Sequence, residues 1–140
     1  MKQTLISLPN QIAHHRFKKV IFDVETDGLA GNTIHCIVTK VIGGETQLFP
    51  PDNLQAAVDI LTSADVLVGH NIIGFDIPVI KKHFDVTLTN HIEDTLVVSR
   101  LVNPVLTGRH SLDNWGYLLY PNDAEKRKAK GRWVRIPKST

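Results

Sequence analysis

A single cysteine, Cys36, stands in the 140 residues, so no intrachain disulfide can brace the chain. Its place within the apolar run IHCIV predicts a reduced core residue, and no nucleophile turn surrounds it to suggest a catalytic thiol. No apolar run approaches the ~20 residues that a bilayer-spanning helix needs. The N-terminus MKQTLISLPNQIAHH lacks the basic region, apolar stretch and small-residue cleavage site of a signal peptide. The expectation is a cytoplasmic protein without membrane association. Internal repeats, low-complexity stretches and a linker within the body of the chain are also missing.

What is there has globular proportions: 42% hydrophobic and 21% charged residues, in a length that suits one domain. The net charge of +2 conceals an asymmetry. From residue 126 onward there are seven basic residues (Lys126, Arg127, Lys128, Lys130, Arg132, Arg135 and Lys138) and no acidic one, whereas the rest carries nine basic against fourteen acidic residues. The division expected is a domain over 1–125 and a basic tail over 126–140. Such a tail can meet phosphates and add salt-dependent, sequence-independent affinity, or it can be a solvated end with no partner. Trp133 adds one ring, which is not a stacking platform.

Local patterns place the elements. Residues 18–24 and 34–42 are rich in Val, Ile and Phe and read as neighbouring antiparallel strands, with Asp27-Gly28 and Gly31-Asn32 as turn signals between them. A third strand over 45–49 ends at Pro50-Pro51, and Asp52 is expected to cap a helix reaching about Ser63, with Leu54, Ala57, Val58 and Leu61 at helical spacing. DVLVG, residues 65–69, suits a buried parallel strand. A helix follows over about 75–84, with Pro78 near its first turn. Residues 94–102 read as a helix capped by Asp94 or as a buried strand, and Ser111 opens a last helix to Leu119 with Leu112, Trp115 and Leu119 on one stripe. A mixed sheet covered by helices follows from this order.

Chemistry concentrates at two points. Residues two apart on a strand share a face, so Asp23 and Glu25 project side by side. Two carboxylates within roughly 7 Å raise each other's pKa unless a cation lies between them, and hard divalent ions take oxygen ligands of this kind. An isolated Asp-x-Glu is more often two solvated acids. Here, however, the pair ends an apolar strand and leads into the turn Thr26-Asp27-Gly28-Leu29, where sites collect in sheets flanked by helices. The second point is the run 71–76, NIIGFD, which puts Asp76 at a helix start, either as an ordinary cap or aimed at the strand edge. His70 and Asn71 can equally be satisfied structural polar residues.

In combination, FDVETDGL, GHNIIGFDIPVI, IEDTLVVSRL and HSLDNWGYLL resemble the 3′–5′ proofreading exonuclease domain of phage-type family A DNA polymerases, in the DEDD (DnaQ-like, ribonuclease H-like) superfamily. The resemblance covers roughly residues 20–119. It implies an α/β fold, a ribonuclease H-like mixed sheet flanked by helices. It also implies hydrolysis of single-stranded DNA 3′ ends by two divalent ions, Mg²⁺ or Mn²⁺, held by Asp23, Glu25 and Asp76. Thr26, Leu29, Asn71 and Phe75 are then candidate contacts to the last nucleotides. The host cytoplasm is the compartment implied if the gene is phage or prophage encoded.

The same resemblance calls for a third motif, a Tyr or His four residues before a final Asp. Tyr117 is followed four later by Pro121, His110 by Asn114 and His91 by Thr95, while Asp113 and Asp123 lie three after His110 and Tyr120. The expectation is therefore a C-terminally incomplete domain with weak metal binding. Three readings stay open: an exonuclease weak or inactive alone, one part of a split exonuclease or polymerase completed in trans by a partner chain, and a non-catalytic module binding nucleic acid or protein.

Overall fold

The computed structural model describes residues 17–122, which form a five-stranded mixed sheet with helices around it. The strands are β1 (Lys19–Thr26), β2 (Ile34–Val41), β3 (Thr46–Phe49), β4 (Val66–Gly69) and β5 (His91–Asp94). The helices are α1 (Leu54–Thr62), α2 (Asp76–Phe84), α3 (Thr95–Val102) and α4 (Leu112–Leu119). In the sheet order β3-β2-β1-β4-β5, the first three strands are antiparallel and β1, β4 and β5 are parallel. Among the described residues no helix is long and apolar enough to cross a membrane. The basic residues from Lys126 to Lys138, and Asp123, lie outside the described residues.

Alternation along β1 builds the core. Val20, Phe22 and Val24 are buried and join Ile37 of β2, Leu67 of β4, Ala57, Val58 and Leu61 of α1, and Val79 and Ile80 of α2 in one cluster. Ile21, Asp23 and Glu25 take the other face, as a period of two requires. Cys36 is free and buried, opposite Glu25 in the ladder.

The structure departs from the expectation at Asp52 and adds a strand, β5. Asp52 does not cap α1: it lies inside a short 3-10 turn, Pro51–Asn53, and neither Pro50 nor Asn53 makes a side-chain cap bond. Pro51, with φ already set for a helical turn, starts that turn early and shifts α1 onward. Strand β5 was not foreseen, because HIED has little intrinsic strand character and gains its conformation by pairing with Val66–Gly69. The expected apolar stripe of α4 is not covered among the described residues: Leu112 is 48% and Leu119 59% exposed. Asp94 and Ser111 do cap α3 and α4, accepting from the N–H of Leu96 and Asn114.

Candidate active site

The site begins with a mismatch of lengths. β4 pairs with β1 only from Lys19 to Ile21 and ends at Gly69, so the last turns of β1's ladder have no β4 partner. Gly69 passes so close to Phe22 that a Cβ would come within 2.9 Å of its carbonyl oxygen and 2.2 Å of Ile72 Cγ2. Beyond that point the chains diverge, and a crevice opens at the carboxyl end of the two parallel strands. The N–H of Val24 faces it and donates to Asp76 Oδ1 at 2.8 Å. Asp76 is thus the first residue of α2 without being its cap; its carboxylate takes the place of the missing strand.

A cleft of about 400 Å³ occupies this crevice, lined by Asp23, Val24, Glu25, Thr26, Gly28, Leu29, His70, Asn71, Phe75 and Asp76. All seven candidate residues, the three acids together with Thr26, Leu29, Asn71 and Phe75, therefore border one space. Leu29 stands at its rim, 95% exposed. His70, which the sequence offered only as a structural polar residue, also lines the cleft; its Nδ1 lies 2.9 Å from Thr95 Oγ1, which itself donates to the carbonyl of Gly69. The available signal was its position directly after β4.

The three acids burden one another. Burial pushes Glu25 up to about 7, helped by the charge of Asp23, by a hydrogen bond to Asp23 and by the charge of Asp76. Asp76 is also pushed up to about 7 by burial; the Val24 N–H works against this, while the charges of Asp23 and Asp94 add to it. Asp23 rises through burial but is held back by the hydrogen bond from Glu25 and by His70. Both members of the pair are therefore held above their ordinary carboxylate range.

Do these residues fit divalent ions? Among the described residues no group of three or more His, Cys, Asp or Glu side chains is gathered tightly enough to grip a metal ion. The donor chemistry points the other way: every donor is a carboxylate oxygen, and the raised values of all three acids reflect burial and mutual repulsion that a hard cation would relieve. All three side chains open on the same cleft, and the Oδ1 of Asp76 is anchored there by the Val24 N–H. By their donor chemistry and shared cleft these three carboxylates fit a hard divalent ion.

The loop from Gly69 to Phe75 is set by Asp94. This residue is 4% exposed; its Oδ1 accepts from the N–H of Asn71 (2.8 Å) and Leu96 (2.9 Å), and its Oδ2 from that of Ile73 (3.0 Å). Burial works against its charge, yet the N–H groups of Ile73, Asn71, Leu96 and Val97 together hold its carboxyl below the ordinary value. Asn71 takes a left-handed conformation (φ 64°), one that asparagine tolerates, and its carbonyl accepts from Gly74 and Phe75. Asp94 was legible as a cap, but its hold on this loop was not.

No protein-family model matches the sequence, and no curated protein matches it. Solved structures do. A structure described as the apo form of the nuclease superposes with a TM-score of 0.63 at 23% identity, covering 86% of this chain and 60% of that one. Brucella melitensis NrnC with bound Mg²⁺ gives 0.57 at 20% identity, covering 81% and 58%. The same protein bound to pGG gives 0.58 at 18%, covering 91% and 66%. The chain thus spans about 60% of the length of the nuclease in the first comparison. At such identities the likeness concerns the fold: with its strand order, the chain has a ribonuclease H-like α/β fold, the architecture of these nucleases.

Proposed function

We propose that this chain is a 3′–5′ exonuclease-like domain that hydrolyses phosphodiesters at single-stranded nucleic-acid 3′ ends, DNA foremost. The observation that carries the reading is the convergence of Asp23, Glu25 and Asp76 with Thr26, Leu29, Asn71 and Phe75 on one cleft, within a fold seen in nucleases. The three carboxylates would hold Mg²⁺ or Mn²⁺. When bound, such ions supply an activated water and neutralise charge on the attacking and leaving oxygens. The protein's part is placement: Asp76 is fixed against β1 by the Val24 N–H, Asp23 and Glu25 are set side by side by the strand, and Phe75 and Leu29 offer apolar surface to bases. Weak metal binding by the chain alone, a proofreading role beside a polymerase, a cytoplasmic setting and phosphate contacts from Lys126 to Lys138 are finer parts of the same proposal.

A second reading is favoured by the exposed apolar residues of α3 and α4, among them Val98, Leu101, Val102 and Leu119, the last three more than half exposed. In this reading the domain works with a partner chain that completes it, or serves as a non-catalytic binding module. The deciding experiment follows a single-stranded 3′-hydroxyl oligodeoxynucleotide with Mg²⁺ or Mn²⁺, comparing wild type with Asp23→Ala. Stepwise shortening from the 3′ end, reduced at least ~100-fold in the variant, is the expected result, on the scale of losing a group that acts in the transition state. Equal rates for the two proteins would sink the reading of a nuclease active by itself and leave the partner-completed domain or the binding module.

A further inference from the structure

The loop joining β1 to β2, residues 27–33, carries Leu29 to the rim of the cleft and is organised from within and from outside. Within it, Asp27 Oδ1 accepts from the N–H groups of Asn32 and Thr33, both at 3.0 Å, and Gly31 N–H donates to the Gly28 carbonyl at 2.9 Å. These bonds shape the loop but do not fix where it points.

Its direction is set by the far end of α2. Lys82 Nζ donates to the carbonyls of Ala30 (3.1 Å) and Gly31 (3.3 Å) and to Asn32 Oδ1 (2.9 Å), so all three ammonium N–H donors have a loop oxygen within reach. His83 Nε2 lies 2.8 Å from the same Gly31 carbonyl; a carbonyl only accepts, so Nε2 carries the proton. Gly31 is buried in a left-handed conformation (φ 57°), and a Cβ there would meet Val79 Cγ2 of the same helix at 2.7 Å. Three residues of α2 thus grip one end of the loop. The same helix begins at Asp76, six residues before Lys82 and so roughly 9 Å away along its axis. One rigid element therefore ties the Asp76 carboxylate to the loop that holds Leu29.

We propose that Lys82 and His83 are positioning residues for substrate: by clamping loop 27–33 to α2 they hold Leu29 over the cleft, ready to meet the terminal base of a single-stranded chain. This rests on the nuclease reading, and it assigns to two residues outside the cleft a share in binding and none in the chemical step. Without the clamp the loop must be ordered each time substrate binds, a cost that appears in KM and leaves kcat untouched.

The test compares wild type, Lys82→Met/His83→Ala, Lys82→Arg and Asp23→Ala on a short 3′-hydroxyl oligodeoxynucleotide with Mg²⁺. In the double variant KM is expected to rise on the order of tenfold, the scale of about 1.4 kcal/mol of lost ordering, while kcat changes by less than about threefold. Lys82→Arg, which keeps the cation and its donors, recovers most of the loss. Both changed residues are exposed, so the fold survives, and amide exchange should quicken at residues 31–33 while β2 stays protected. An unchanged KM in the double variant, or a loss confined to kcat, overturns the positioning role while wild-type activity keeps the nuclease reading intact. If wild type and Asp23→Ala alike neither cut nor bind the oligonucleotide, the nuclease reading fails and this role falls with it.

Discussion

The starts of α2 and α3 hold two aspartates of nearly equal burial, Asp76 at 3% and Asp94 at 4% exposure, and the protein drives them in opposite directions. Asp94 is below its ordinary pKa because three or more backbone N–H groups converge on it; Asp76 reaches about 7 because one strand N–H cannot offset burial and the charge of Asp23. Both side chains are little exposed, but burial weighs more heavily on Asp76, while the donors aimed at Asp94 outweigh it there. Asp94 has used its charge to hold the chain, while Asp76 keeps lone pairs and an unfavourable charge for something else to satisfy.

The sharpest way to break this contrast is to remove the charges one at a time. Asp94→Ala leaves the N–H groups of Asn71, Ile73 and Leu96 without their acceptor and should cost about 3 kcal/mol or more, read by urea unfolding. Asp76→Asn keeps an oxygen for the Val24 N–H, and in chelator-treated buffer at pH 8 it should be as stable as wild type or more so. A large loss in Asp76→Asn would mean that the two aspartates are alike after all.

A gentler probe is pH. Asp76 and Glu25 have folded values raised to about 7, so the stability tied to their protonated forms is complete below their ordinary values of 3.8 and 4.5 and is lost as pH rises through about 7. Asp94, with its value lowered, contributes above 3.8 and fails as pH falls below that. Without divalent ions, wild-type melting temperature should decline from about pH 4.5 to beyond 7, and Asp76→Asn should flatten that limb while leaving the acid side unchanged. A neutral limb of the same slope in the variant would separate the decline from Asp76.

The smallest effect lies where α3 meets α4. Trp115 Nε1 donates to Ser99 Oγ at 2.7 Å, and Ser99 also meets His110 Nδ1 at 2.7 Å, although little apolar surface is buried there. Trp115→Phe removes one neutral bond and should cost about 1 kcal/mol. A loss as large as that of Asp94→Ala would show α4 to be as integral as the start of α3.

Much of this was legible before any coordinates. The β-branched runs around Asp23 and Cys36 predict the antiparallel pair, and a period of two puts Asp23 and Glu25 on one face. The run Asn71 to Asp76 marks the second part of the site because it joins a buried strand to a helix carrying Pro78. Strand β5 escaped because HIED is a strand only through its neighbour, and Asp52 was misread because a cap and a residue inside a 3-10 turn have the same local signature. The contacts of Lys82 and His83 with the β1–β2 loop were invisible, since their partners lie some fifty residues away.

The sequence by itself determined what depends on nearest neighbours: which segments are strands or helices, which faces are apolar, and which side chains can offer oxygen to a cation. The tertiary structure alone decided that β4 stops short of β1, leaving the Val24 N–H for Asp76, and that Asp94 spends its charge on a loop. The physical reason is that a carboxylate's energy depends on the donors, charges and solvent surrounding it, and those are brought together by chain segments far apart in sequence.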